Sequence, residues 1–210
     1  MKKVILLMII VMISFVFADD YDMQTLVSGR LEHGGYGGPV VKFSEINGGF
    51  GVFVGGHGGW IINDRLVIGG GGYGLANDVS LGKNDIFNKS QYINFGYGGF
   101  ELGYILSSNS LFHLDFNTLV GAGGVGYRHS VFDEDWDEWE ECDCEEDYDD
   151  YDKPVFVVEP TMNLMVNVSK HVRLGIGASY RYVAGLKDMD ISNDDLTGIS
   201  ASINIKFGSF

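Results

Sequence analysis

The chain has 210 residues, enough for one domain or a single larger all-β barrel. Its 45% hydrophobic and 13% aromatic content excludes a disordered chain, and only three prolines exclude a Pro-rich linker protein. A formal net charge of −15 argues against a nucleic-acid partner, whose phosphates need Lys and Arg.

The first 18 residues read as a cleavable signal peptide. Lys2 and Lys3 form a positive start, Val4 to Phe17 an apolar core, and Val16 and Ala18 suit cleavage before Asp19. The apolar run is short of the roughly 20 residues that a membrane-crossing helix needs. No cysteine follows Ala18, which disfavours a lipid anchor. Residues 19–210 then form a single β-barrel domain.

Past the leader, no long run carries apolar residues at helical spacing, and no helix is expected. Period-two alternation recurs instead. A first strand lies within 26–45, where Pro39 blurs the register. In 49–62 the alternation survives under many glycines: Phe50, Val52, Val54, Trp60 and Ile62 share one face, and Gly51, Phe53, Gly55, His57 and Gly59 the other. Gly56 and Gly58 fall on the apolar face without an evident reason. Residues 65–76 are glycine-rich. In 91–106, Phe100, Leu102, Tyr104 and Leu106 oppose Glu101 and Gly103. In 111–126, Phe112, Leu114, Phe116, Thr118, Val120 and Ala122 oppose His113, Asp115, Asn117, Leu119, Gly121 and Gly123. Strand 155–168 alternates similarly, and Pro160 predicts a bulge or local break. Strand 171–184 sets Val172, Leu174, Ile176, Ala178, Tyr180 and Tyr182 against His171, Arg173, Gly175, Gly177, Ser179 and Arg181. The last, 198–207, sets Ile199, Ala201, Ile203, Ile205 and Phe207 against Ser200, Ser202, Asn204 and Lys206.

These are eight strands. Connections at 63–65, 107–110 and 169–170 are tight, whereas those at 77–90, 129–153 and 185–197 are long and polar. Asn47-Gly48 has the residues of a type I′ hairpin turn and is the short exception on the long-loop side.

Eight strands enclose a space that side chains just fill. The polar faces carry Glu101, Asp115, Glu159, Arg173, Arg181, Lys206 and His113 among asparagines and glycines. On the outside of a soluble barrel these glycines would only weaken the strands. Inside a narrow lumen they make room for long, paired charges. The bulky faces then meet lipid, as in transmembrane barrels. Closure leaves no strand edge exposed to lipid.

The signal peptide, the eight amphipathic strands, the alternating loop lengths and the tail ISASINIKFGSF together resemble the small eight-stranded outer-membrane β-barrels of bacteria with two membranes. The resemblance implies an all-β, eight-stranded antiparallel up-and-down transmembrane barrel in the outer membrane. It also implies outer-membrane lipid around the barrel and recognition of the C-terminal Phe210 by the barrel-assembly machinery. Phe210 is out of phase with Ile203, Ile205 and Phe207, so a register change at Gly208 is expected. The family includes adhesion-related, structural and lipid-modifying members, so it does not name a function.

Residues 133–152 carry 14 of the 29 acidic side chains, within the long loop at 129–153. The rest of the chain is nearly neutral. Carboxylates suit hard divalent cations, but Asp143, Glu145, Asp147 and their neighbours do not fit the twelve-residue calcium loop. A solvated external loop, loose divalent-cation binding and attraction to a cationic surface partner are the readings available. Cys142 and Cys144, one residue apart, would form a strained disulfide. With flanking acids they also offer a soft-metal site. GAGGVG at 121–126 matches a dinucleotide fingerprint but lacks the helix that must follow it. His129 and Ser130 are adjacent, so on a strand they face opposite ways and make a poor base–nucleophile pair. His57 and His113 read as lumen-filling residues. The expectation is a monomeric, non-enzymatic barrel without an open pore or resident cofactor, with a structural or surface-interaction role through its acidic loop. The alternative is a soluble periplasmic or secreted β-barrel whose bulky faces point inward around a small apolar ligand.

Overall fold

The computed structural model describes residues 32–84, 90–129, 153–187 and 189–210. The expected signal peptide and the acidic tract lie outside these residues. Nine strands occur among the described residues: β1 His33–Ile46, β2 Gly49–Ile62, β3 Leu66–Leu75, β4 Ser80–Asn84, β5 Ser90–Leu106, β6 Phe112–His129, β7 Lys153–Ser169, β8 Val172–Ala184 and β9 Gly198–Ser209. A four-residue helix, α1 Asn193–Leu196, precedes β9.

Eight strands build the wall. They run antiparallel in the order β3-β2-β1-β9-β8-β7-β6-β5, and pairing of β3 with β5 closes the ring. β4 is a side branch that pairs with the start of β5, Ser80 opposite Tyr92 and Asn84 opposite Ser90. It lies inside a stretch read from sequence as loop, where a strand of only five residues gives alternation no length in which to show.

One end of the barrel holds the tight turns around 63–65, 107–111 and 170–171. The other holds the long connections. Asn47 and Gly48 at the loop end both adopt positive φ, 50° and 73°, as a type I′ turn requires. Asn63 and Asp64 at the turn end do the same, at 51° and 57°.

Two expectations need correction, and the one at Pro160 is met in one of its two forms. A helix does exist: α1 is too short for a periodic pattern to register, and it is held by local chemistry. The Asp195 carboxylate accepts from Ser192 N–H and Oγ–H, each at 2.8 Å, closing a capping box. At Pro160 the expected local break occurs, without a bulge. The β7–β8 pairing passes from Val158–Tyr182 to Thr161–Ser179 in one register, because the proline breaks the ladder without shifting it. The irregularity lies at Asn167/Ser169 instead. Gly208 absorbs no register change either. The β1–β9 register stays constant through Gly37–Phe207, Tyr36–Gly208 and Gly35–Ser209. Phe210 keeps the parity of Lys206 and Gly208 and so turns inward, stacking on Tyr36 with centroids 6.4 Å apart.

Which way the faces point is unambiguous. Phe100, Ile176, Leu102, Phe50, Ile199 and Ile203 are among the exposed apolar side chains, Phe100 at 80% and Ile176 at 62%. Lys42, Glu101, Asp115, Glu159, Arg173, Arg181 and Lys206 are buried. The bulky face is the outside, so the arrangement required by the soluble ligand-binding alternative does not occur.

Candidate functional site

Two surfaces carry the chemistry: the lumen and the outer wall. Across the middle of the lumen, residues from six strands form a network of ion pairs and hydrogen bonds. Lys42 Nζ on β1 reaches Glu159 Oε2 on β7 at 2.7 Å. That carboxylate also accepts from Tyr97 Oη at 2.7 Å and Ser179 Oγ at 2.6 Å. The Lys42 ammonium stands 3.3 Å from the Tyr73 ring centroid. Tyr73 in turn donates to Glu101 Oε1 at 3.2 Å, and His57 Nδ1 lies 3.1 Å from Glu101 Oε2. Burial of charge is tolerated because each carboxylate collects several donors. Between these groups a cavity of about 20 Å³ remains, room for roughly one water. The Nε2 of His57 and the Oδ1 of Asn204, both buried without a protein partner, belong to residues that line it.

Nearer the turn end a second group forms around Asp115. Lys206 Nζ is 2.7 Å from Asp115 Oδ2 and His113 Nε2 is 3.6 Å from Oδ1. His57 and His113 are therefore interior residues, as the alternation predicts.

The inward glycines make this packing feasible. A Cβ at Gly71 would stand 2.5 Å from Glu101 Oε1 and 3.2 Å from Tyr73 Oη. At Gly177 it would collide with Asn163 Oδ1 and Ser202 Oγ, and at Gly103 with Asn117 Oδ1. Elsewhere the obstacle is backbone. At Gly99 and Gly121 it would strike the facing strand's carbonyls, Val120 O and Gly98 O. Glycine here serves both the side chains of the lumen and the close coiling of a small barrel.

The lumen is not polar throughout. Toward the loop end it becomes an apolar core of Phe53, Ile93, Phe95, Val125, Val155, Val157 and Val183, closed by Val79, Leu186, Ile191 and Leu196 from the connections. Arg181 joins wall to cap. Its Nε donates to Leu196 O at 2.9 Å, its Nη2 donates to Ser44 Oγ at 3.2 Å, and its guanidinium lies 4.5 Å from the Phe53 ring centroid. Val183 N–H donates to Thr197 Oγ1 at 3.1 Å and Asn47 N–H to Asp195 O at 2.9 Å, tying α1 down further.

Sequence reasoning missed Lys42, the fourth buried cation. Pro39 hid its register, although Val40, Lys42 and Ser44 share a parity. It also missed the hydroxyls of Tyr73 and Tyr97. Asp143, Glu145, Asp147, Cys142, Cys144 and Ser130 lie outside the described residues, as does the side chain of His129. Among the described residues no group of three His, Cys, Asp or Glu could hold a metal. The fingerprint at 121–126 is plain strand in β6, opposite β5 residues Asn94 to Gly99.

The outer wall is an apolar belt with aromatic side chains toward both ends. Trp60, Phe112 and Phe207 lie by the tight turns, and Tyr180, Tyr182 and Phe50 toward the loops. Such a belt with girdles is the exterior of a lipid-embedded barrel. No family model matches the sequence, and neither does any curated protein. Solved structures similar in fold include the following two. Neisserial surface protein A aligns with a TM-score of 0.52 at 11% identity, over 85% of this chain and 99% of that one. The N-terminal β-barrel domain of Pseudomonas aeruginosa OprF aligns with a TM-score of 0.52 at 8% identity, over 85% and 99%. At this identity the likeness concerns architecture: the chain has the fold of the small eight-stranded outer-membrane β-barrels.

Proposed function

We propose that this protein is an integral outer-membrane barrel without an open pore that acts at the cell surface through its long-loop end. The observation that carries this reading is the inverted distribution of polarity: an exposed apolar belt around a buried, ion-paired lumen. That distribution is unfavourable in water and favourable in lipid. The interior packing supports the absence of a channel, since aromatic side chains and the cap residues fill the loop end. The β6–β7 connection springs from that end and contains the acidic tract. We assign to that tract a structural or surface-interaction role toward divalent cations or a cationic partner, with Asp143, Glu145, Asp147, Cys142 and Cys144 as the candidate ligands. The barrel has no need of a resident cofactor or of catalysis for this role. Outer-membrane lipid is its solvent, and assembly as a monomer by the barrel-assembly machinery is the expected route.

Fractionation with heat-modifiable gel migration tests the location. The protein should stay with the outer membrane until detergent is added and should migrate differently when unheated. Recovery of the folded protein from the periplasm without detergent overturns the reading. Calcium titration of the full chain against a chain lacking residues 133–152 tests the loop. Equal binding by both removes the acidic tract from the proposal.

A further inference from the structure

We propose that the turn-end mouth of the barrel is a binding site for an oxyanion, the phosphate or carboxylate group of a ligand. Arg173 and Lys206 stand directly opposite each other in the β8–β9 ladder. They are 5% and 2% exposed. Two cations facing each other across a ladder repel, and burial intensifies the repulsion. One carboxylate, Asp115, makes an ion pair here, through Oδ2 with Lys206, while its Oδ1 stands 3.6 Å from His113 Nε2, too far for a hydrogen bond. Among the described residues Arg173 has no carboxylate within ion-pair distance. Asp115 and then Asp64, on the turn after β2, act on it through space only.

What Arg173 does contact leaves donors spare. Its Nη2 donates to Ser108 O at a long 3.4 Å, and its Nε, buried, has no partner. Its guanidinium lies 3.9 Å from the Phe210 ring centroid, which fixes the plane of the fork. Beside it opens a cavity of about 410 Å³ that Ser108, Ser169, Lys170, His171, Arg173 and Phe210 help line. Lys170 and His171 are exposed at its rim. His171 is held in place by donating Nδ1–H to Gly208 O at 3.0 Å.

An oxyanion answers each of these features. A guanidinium edge matches two oxygens of a carboxylate or phosphate. The negative charge offsets the Arg173–Lys206 repulsion, and the Lys170 ammonium adds attraction at the entrance. A cation or a neutral sugar would relieve none of this. Two sources present the same chemistry at that end of a membrane barrel: the phosphate of a lipid headgroup and a free anion. The free-anion arm of the test does not depend on the membrane reading.

The test uses the full mature chain folded in maltoside micelles and titrated calorimetrically with inorganic phosphate. Saturable binding is expected. Arg173→Gln should weaken it about tenfold or more, by loss of a two-point charged contact. Lys170→Gln should weaken it severalfold, and Lys187→Gln, at the opposite end, should leave it unchanged. If Arg173→Gln does not fold, the rim variants Lys170→Gln and His171→Gln decide, since both positions are exposed. Repeating the titration in phosphatidylglycerol nanodiscs separates the sources. Suppressed phosphate binding there assigns the site to a lipid headgroup, and undiminished binding assigns it to a free anion. Absence of saturable phosphate binding in micelles overturns the proposal. So does equal affinity in wild type and in the Arg173 and Lys170 variants.

Discussion

Replacing Glu159 by Gln would leave the volume of the lumen intact and remove one charge from its centre. Lys42 would then lose its ion pair and keep neutral contacts, Tyr97 Oη at 3.5 Å, the Tyr73 ring at 3.3 Å and the amide oxygen of the new glutamine, with Glu101 acting only through space. Stranding one partner of a buried ion pair costs about 3–5 kcal/mol. A desolvated cation–π contact of about 2 kcal/mol holds part of the ammonium's energy, which places the variant near the lower limit. Lys42→Met is the milder single change, about 2 kcal/mol. The carboxylate retains its hydroxyl donors Tyr97 and Ser179, and hydrogen bonds to a charge contribute about 1.5–3 kcal/mol each. The double variant buries no unpaired charge, so it should cost about 2 kcal/mol less than the two singles added together. Urea unfolding in micelles, followed by tryptophan fluorescence with gel migration as the fold check, measures all three. A cost below about 0.5 kcal/mol for Glu159→Gln would refute the reasoning, because surface substitutions lie in that range. Strict additivity in the double variant would refute it equally.

The other expectations test separate parts of the barrel. Ile176→Lys places a charge on the outer belt opposite Leu164 and should cost about 2–4 kcal/mol in bilayers, measured as the shift in the unfolding midpoint. Gly177→Val drives a side chain into Asn163 and Ser202 and should lose about 1–3 kcal/mol in the same assay, as overpacking does. Arg181→Leu removes the donor to Leu196 O and should raise protease sensitivity around 185–197 while the barrel keeps its unheated gel position. Deleting residues 133–152 should leave assembly and heat-modifiability unchanged, and planar-bilayer recordings of either protein should show no stable open channel.

The faces were legible because parity is a local property. Once one residue of a strand is placed, its neighbours at two-residue spacing follow, and a bulky-out, polar-in assignment for eight strands rests on only a few decisions. Parity also held the answer for Phe210. Lys206, Gly208 and Phe210 share a face, and the strand needs no correction to bring the ring onto Tyr36 and Arg173. The expected register change came from giving the terminal aromatic priority over the alternation. What parity could not show is the division of the lumen into polar and apolar halves. Phe53, Phe95, Val125, Val155 and Val183 come from five different strands, and their common height depends on the stagger between strands. Lys42 and Glu159 meet for the same reason, across 117 residues of sequence.

The glycines of 55–59 separate into two kinds on that basis. Gly55 and Gly59 share the inward parity of His57, and a side chain at either would press on β3, on Tyr73 and Val67 among others. Gly56 and Gly58 point outward, where lumen crowding explains nothing. Gly58 pairs with Gly37 on one side and Gly70 on the other, and Gly56 with Pro39 and Gly72. A Cβ at Gly58 would stand 2.9 Å from Tyr36 O, so the neighbouring strand itself comes too close for a side chain. Glycine on both faces of the same short stretch therefore marks where β1, β2 and β3 leave little room for side chains. The energetic weakness of glycine in an isolated strand is offset by a curvature that bulkier residues would obstruct, and the ring can close with only eight strands.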